Sequence, residues 1–437
     1  MGAWRRLTAL FLAILLMALV GACSGLSEAE PAPVDAVAQE EDLAPTPVPV
    51  GEGVNSEASG STELVLWLPD LYDLDPTHTA GETLYTLRRL FEQTYPNVFL
   101  TLVNKAERGQ AGLFNYLRSA QQVAPSIMPD VVILGSDELW QAADLGLIQP
   151  INPADLENID DFYPFALDAV TYNQTLYGVP VSADVLHLVQ DRNYGGEEAD
   201  SLPLLASDVV SGTVPFIFAA NQREPSQNLF LLLQYVASGG VLNEEGTLTE
   251  PDALGEVFRW LADARAVQIV PDTVLDFSSE DAVWAAFVEG DAGLAAVNAR
   301  YYLSQREILE NTGFGPIPTL DGAPATVAQT WAFAILTPDP ERQALVLELI
   351  QEMLDPDVLG PLNQYNHRLP TRRSAFQAWA DSHPYYQFLD SQLNLATAIP
   401  NGKAFADLAQ RMQRAELDVL SGTVLPSDAL LNVRATP

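Results

Sequence analysis

The residues able to do covalent chemistry are few and poorly spaced for it. Four histidines, His78, His187, His367 and His383, lie far apart, and Cys23 is the only cysteine in 437 residues. No G-x-S-x-G, H-E-x-x-H, C-x-x-C, P-loop or G-x-G-x-x-G stretch occurs, so nucleophilic, zinc-dependent and nucleotide chemistry lack their local signatures. Carboxylates are abundant, 58 against 21 lysines and arginines. Adjacent acids such as Asp160-Asp161 and Glu244-Glu245 read as solvated loop charges. A glycoside hydrolase needs only two carboxylates at a set separation, so an anchored carbohydrate hydrolase stays open. Asp70, Asp73 and Asp75 supply hard oxygen ligands in one loop, but without the glycine and terminal glutamate of a calcium-binding EF-hand. No metal and no cofactor is expected.

Cys23 has a different chemistry available. Arg5 and Arg6 precede an almost wholly apolar run, Leu7 to Ala22, and Cys23 follows at once. Positive, apolar, then small is the order of a secretory signal. The run is 16 residues, short for a helix that must cross about 30 Å of hydrocarbon. Leu19-Val20-Gly21-Ala22-Cys23 resembles the bacterial lipobox, in which the sulfur is acylated and the chain is cut before it. The expectation is a leader over 1–22, a lipid on Cys23, and a mature protein held at the cell membrane outside the cytoplasm. A fold without a second cysteine has no disulfide and must be stable through its core.

Without Arg5 and Arg6 the 21 basic residues become 19, against 58 acidic, a net −39. Such a surface repels phosphate backbones, so nucleic acid is excluded as a partner. It would suit a cationic ligand. Residues 23–62 carry Pro31, Pro33, Pro45, Pro47 and Pro49 and no lysine or arginine. That composition buries too little apolar surface to order the chain, and the segment reads as a disordered acidic tether spanning about 35 Å as a flexible coil.

The elements that must position any site begin at Glu63. Leu64 to Leu68 reads as a buried strand, Gly81 to Gln93 as a helix with Leu84, Leu87, Leu90 and Phe91 on one face, and Val98 to Val103 as a second strand. A helix over Gly112 to Gln122 follows, then Val131 to Leu134, a continuous run typical of a parallel sheet covered on both faces. Asp137 to Asp144 is helical, ended by Gly146. Helical spacing returns at 226–238, 252–265, 279–289, 340–354 and 403–420, with strands at 292–297 and 331–336. This is an α/β order, and about 375 residues exceed one core, so two lobes are expected. In an open α/β sheet, ligands sit beyond the carboxyl ends of the strands. That rule selects Asp70 and Tyr72 after the first strand, and Ser136 and Asp137 after the third. Trp67, inside the first strand, fits either core or ligand platform. Trp140, Trp260, Trp284 and Trp379 have the helix-face spacing of packing residues.

In order and spacing, these segments resemble the extracellular solute-binding proteins of ABC importers, family 1, the group that includes maltose-binding proteins. The likeness runs from Leu64-Val65-Leu66-Trp67 and LFEQTYPNV (90–98) through MPDVVIL (128–134) and DLGLIQPI (144–151). DFYPFALDAV (161–170) and TLYGVPVSADVLHL (175–188) follow. FVEGDAGLAAV (287–297), FGPIPTLDG (314–322), the long stretch 330–354 and RLPTRRSAF (368–376) complete it. The chain departs from the pattern at Tyr194 to Ser211, which is shorter and acidic; this bears on the outer wall of the second lobe.

The resemblance implies a two-lobed type II periplasmic-binding-protein-like fold with a hinge. The lobes would be 63–180 plus 332–359 and 181–331 plus 360–437. It adds Asp184, Arg300, Tyr301 and Trp331 as ligand contacts beside Trp67, Asp70, Tyr72, Ser136 and Asp137. It further implies a non-enzymatic, monomeric receptor that captures a small solute, a sugar by preference, and hands it to an ABC permease. A polyamine or other cationic solute on the same fold is the alternative the charge suggests.

Overall fold

The structure is a computed structural model and describes residues 61–194, 214–309, 311–380 and 383–435. The leader, Cys23, nearly all of the tether and most of the Tyr194–Ser211 segment lie outside the described residues.

Strand β1 (Thr62–Pro69) pairs in parallel with β2 (Val98–Lys105) and β3 (Val131–Gly135). Helix α1 (Thr79–Thr94) packs Leu84, Leu87 and Phe91 inward, while Leu90, expected on the same stripe, is exposed. Helix α2 (Leu113–Val123) leads to β3, and α3 (Ser136–Asp144) follows β3 without a spacer. Gly146, at φ +65°, lets α3 stop sharply. Its N–H bonds Ala143 O, and that of Leu147 bonds Ala142 O, the paired closure of a Schellman cap.

The second half contributes β4 (Val179–Asp191), β5 (Phe216–Ile217), α4 (Leu229–Ala237), α5 (Pro251–Ala266), α6 (Glu280–Glu289) and β6 (Leu294–Asn298). Next come α7 (Ala299–Gln305), β7 (Thr312–Gly315), β8 (Thr326–Ile335), α8 (Pro340–Met353), α9 (Pro356–Tyr365) and β9 (Leu369–Pro370). Helix α10 (Pro384–Leu395), β10 (Ala396–Ala398), α11 (Lys403–Leu420) and α12 (Pro426–Arg434) close the fold. The sheet runs β2-β1-β3-β8-β4-β6-β5, with β7 and β9 against β4 and β10 against β8. An all-parallel sheet around 131–134 is corrected here: β3 is parallel to β1 but antiparallel to β8, because β8 returns from the other lobe.

Two hydrophobic cores result. One gathers side chains from Leu64 to Val181 and from Trp331 to Leu362, with Ala375. The other gathers Ala183 to Ala328 and Leu369 to Val433, with Tyr163, Phe165 and Ala166 from earlier in the chain. The long strands β4 and β8 serve both cores. Between Trp331 and Ala332 their register slips. Such a bulge bends the strand and re-aims side chains, and here it falls where β8 passes from one core to the other.

Candidate functional site

A cleft of about 600 Å³ opens between the two cores, within the size range of small-molecule sites. From the first lobe it is lined by Glu107, Arg108, Phe114, Arg118, Asp137, Glu138 and Trp140. The second lobe supplies Gln222, Arg223, Glu224, Gln227, Glu280, Asp281 and Arg300, and the crossing strand β8 supplies Gln329 and Trp331.

The first-lobe wall is built on a glycine. Gly135 ends β3, and a Cβ placed on it would lie 2.5 Å from Asp137 Oδ1 and 3.0 Å from an Arg108 guanidinium nitrogen. The bare backbone leaves room for Arg108 to reach Asp137 through both nitrogens, Nη1 to Oδ2 at 2.7 Å and Nη2 to Oδ1 at 3.0 Å. This planar fork is the strong form of a guanidinium–carboxylate pair. Asp137 and Glu138 also occupy the first turn of α3, where the helix dipole favours negative charge.

Beneath the cleft a chain of charges joins the lobes. The Trp331 indole N–H donates to Glu107 Oε1 at 2.9 Å, and Arg368 donates to Glu107 Oε2 at 3.3 Å. The Arg368 guanidinium lies 3.7 Å from the centre of the Trp331 ring, a cation–π stack. Its other arm reaches Asp184 Oδ2 at 3.4 Å. Asp184 is fully buried and accepts from the backbone N–H of Val185 and of Arg300. Burial pushes its carboxyl upward, against the pull of Arg368 and Arg300. Arg300 stands 4.0 Å from Asp184 and donates to Tyr301 Oη at 2.6 Å. A row of amides completes the second-lobe floor: Asn298 donates to Gln329 at 2.7 Å, and Gln329 to Gln227 at 2.6 Å.

Asp137, Arg300 and Trp331 line the cleft. Asp70, Asp184 and Tyr301 sit one layer back: Asp70 accepts from the Glu107 backbone N–H, and Asp184 and Tyr301 hold Arg300. The other three are buried off the cleft, Tyr72 within electrostatic reach of Glu107 and Arg368. Trp67 is buried edge-on against Tyr116, Ser136 is buried at the head of α3, and Tyr72 is buried with its hydroxyl pushed up to about 12 by desolvation. Trp140, read as packing, is half-buried on the cleft wall. Trp260, Trp284 and Trp379 are core residues. Glu107 and Arg108 were missed, although they follow β2 and the strand-end rule selects that loop as readily as its neighbours. Among the described residues no group of three metal-ligating side chains converges; Asp73 instead bonds His78.

The model of the bacterial extracellular solute-binding protein family matches residues 91–386. The chain belongs to that family. Its members bind solutes outside the cytoplasm and are not enzymes, which removes the hydrolase alternative. No curated protein sequence matches this solute-binding protein. Among solved structures, the cyclic α-maltosyl-1,6-maltose binding protein of Arthrobacter globiformis is 16% identical with a TM-score of 0.70, covering 86% of this chain and 97% of that one. The sugar-binding protein MalE of Xanthomonas citri gives 18% and 0.69, covering 85% and 95%. The GacH receptor of Streptomyces glaucescens, solved unliganded and with acarbose, gives 19% and 0.67, covering 85% and 96%. At these identities the shared property is the fold, the two-lobed periplasmic-binding architecture. No helix among the described residues is long and apolar enough to cross a membrane.

Proposed function

We propose that this solute-binding protein is the lipid-anchored receptor of an ABC importer and captures a neutral oligosaccharide between its lobes. One observation carries the reading: the cleft's carboxylates are mostly consumed by the protein itself. Asp137 is taken by Arg108, Glu107 by Trp331 and Arg368, and Glu280 by Gln222, whose amide donates at 2.6 Å. A polyamine site would present unpaired carboxylates, and here Glu138 and Glu224 are the two of six cleft acids without such a partner among the hydrogen bonds and ion pairs described, Asp281 being bonded by Tyr301. What the walls offer instead is the half-buried Trp140 for the C–H face of a sugar, and amides and guanidinium groups for its hydroxyls. The structural relatives that bind maltotetraose and cyclic α-maltosyl-1,6-maltose direct the choice of ligands to try.

Capture would proceed by hinge bending. The bodies are the lobes 63–180 plus 332–359 and 181–331 plus 360–437. The bend is absorbed where β4 and β8 cross between cores, at 181–183 and 328–331, and on the return between α9 and β9. Ligand shifts the open–closed population, and the closed form docks on the permease. A thermal-shift panel of malto-oligosaccharides, other neutral glycans and polyamines tests this. A ligand at 100 times its dissociation constant adds about 2.7 kcal/mol, and small-angle scattering should show a smaller radius with the same compound. A shift with polyamines alone, or no compaction with any stabilising glycan, refutes the reading. Mass spectrometry of the mature chain should find a lipid on Cys23 that Cys23→Ser lacks, with affinity for that glycan unchanged; a wild-type chain without that lipid contradicts the anchor.

A further inference from the structure

Four carboxyl groups of the cleft, Glu138, Glu224, Glu280 and Asp281, have no cation among the ion pairs described, and two of these stand on opposite walls. Glu138 stands in the first turn of α3 on the first-lobe wall, and Glu280 in the first turn of α6 on the second-lobe wall. No arginine or lysine lies within 4 Å of either among the ion pairs described. The surroundings of Glu138 are mainly acidic. Asp137 flanks it on its own helix, Glu107 faces it from the loop after β2, and Glu224 faces it from the opposite lobe. Arg108 is the opposing charge, and its fork is engaged by Asp137. Glu280 is buried and accepts from Gln222 Nε2 and from its own backbone N–H. The charges facing it are Arg300 of α7, Asp184 of β4 and Asp281 of its own helix. A carboxyl drawn out of water among other carboxylates is cheaper to keep protonated than ionised.

We propose that Glu138 and Glu280 meet the solute as neutral carboxylic acids, one from each lobe, and that capture requires both to keep their protons. The inference rests on the oligosaccharide reading and adds two hydrogen-bonding groups to it. A neutral carboxyl can donate through its O–H and accept through its C=O, which suits a sugar hydroxyl that does both. An ionised one only accepts, and an ionised Glu138 is repelled by Glu224 of the opposite lobe, which opposes closure. The desolvated positions agree with this: burial, with neighbouring carboxylates, pushes Glu138 up to about 8, and burial pushes Glu280 up to about 7.

Two measurements on the full chain test the proposal. Carboxyl ¹³C NMR of the ligand-free protein, assigned by comparison with Glu138→Gln and Glu280→Gln, should show two glutamates titrating above pH 6.5, on the order of the shifts buried carboxyls reach. Both titrating near the ordinary glutamate value overturns the proposal whether or not any sugar binds. Maltotetraose affinity is then measured by calorimetry from pH 6 to pH 9. The wild type should weaken at least about tenfold, the factor for one required proton at one pH unit above its pKa. In Glu138→Gln plus Glu280→Gln that ratio should fall below about twofold, because an amide donates and accepts at every pH. A wild-type profile that is flat, or a double variant with the wild-type slope, refutes the proposal while leaving the receptor reading intact. If maltotetraose binds at no pH, the saccharide reading suffers, and the carboxyl titration alone decides whether the two acids are neutral.

Discussion

Glu416 offers the cleanest test of how this fold handles charge in its core. It lies on α11, fully buried, with Asn228 Nδ2 donating to its Oε2 at 2.6 Å and no partner on its Oε1. No cation is near enough to pair with it among the ion pairs described, and burial pushes it from 4.5 up to about 8. A raised folded-state pKa on an acid means that the folded chain binds more protons than the unfolded chain between those two values. Stability is therefore whole below about pH 4.5 and is lost as pH rises toward 8. At about 1.4 kcal/mol per pH unit, the loss at pH 7 is about 3 kcal/mol, levelling near 5 kcal/mol above pH 8. Glu416→Gln keeps the acceptor for Asn228 and cannot ionise. The amide's N–H is left near the unpartnered position, an offset of about 1–3 kcal/mol that does not change with pH. The diagnostic quantity is therefore the change in the gap between variant and wild type. Urea unfolding at pH 4.5, 6, 7 and 8 should show that gap moving in the variant's favour by about 3 kcal/mol from pH 4.5 to pH 7. A gap constant across that range would mean that Glu416 is ionised in the folded protein, and the reasoning would fail.

Arg368→Met removes the guanidinium shared by Asp184, Glu107 and the Trp331 ring. It should cost about 3–5 kcal/mol at pH 7, since Asp184 is left buried and poorly paired. Asp184 already sits above its ordinary value, so the deficit should narrow as pH falls toward 4 and the carboxyl takes a proton. Denaturant midpoints at pH 4.5 and 7 check this, and an equal loss at both would contradict it. Gly135→Ala places a methyl 2.5 Å from Asp137 Oδ1; the atoms it meets are side-chain ends, so it should displace the Arg108–Asp137 fork at a cost of about 0.5–1 kcal/mol, the worth of a partly exposed pair. An unchanged melting temperature would show that the wall yields without strain.

What could be read in the sequence follows from how local its cause is. Helix α11 covers Lys403–Leu420, the same residues that the apolar spacing selects, because an amphipathic stripe is written every three or four residues. Strand β8 begins at Thr326, five residues before the expected Trp331. Its first half, Thr326 to Thr330, forms a strand because it pairs with β4 and β10, partners distant in sequence. Asp184 could not be placed by alternation, since β4 is buried on both faces through most of its length. A two-residue period disappears when both faces are covered.

The candidate site divides along the same line. Position beyond a strand end is a local property, and it located Asp137; applied evenly, it would also have reached Glu107 and Arg108. Which of those residues touches solvent is decided by long-range pairs such as Glu107 with Trp331, separated by 224 residues, and Glu107 with Arg368, separated by 261. In a chain with 58 acids, counting charges suggests a cationic ligand. The fold distributes the 17 arginines of the described residues unevenly: Arg108, Arg300 and Arg368 converge at and beneath the cleft, where they meet Asp137, Asp184 and Glu107. How much of the cleft's acidity is left for a ligand is thus decided by where a few guanidinium groups are folded, which the −37 of the whole chain does not show.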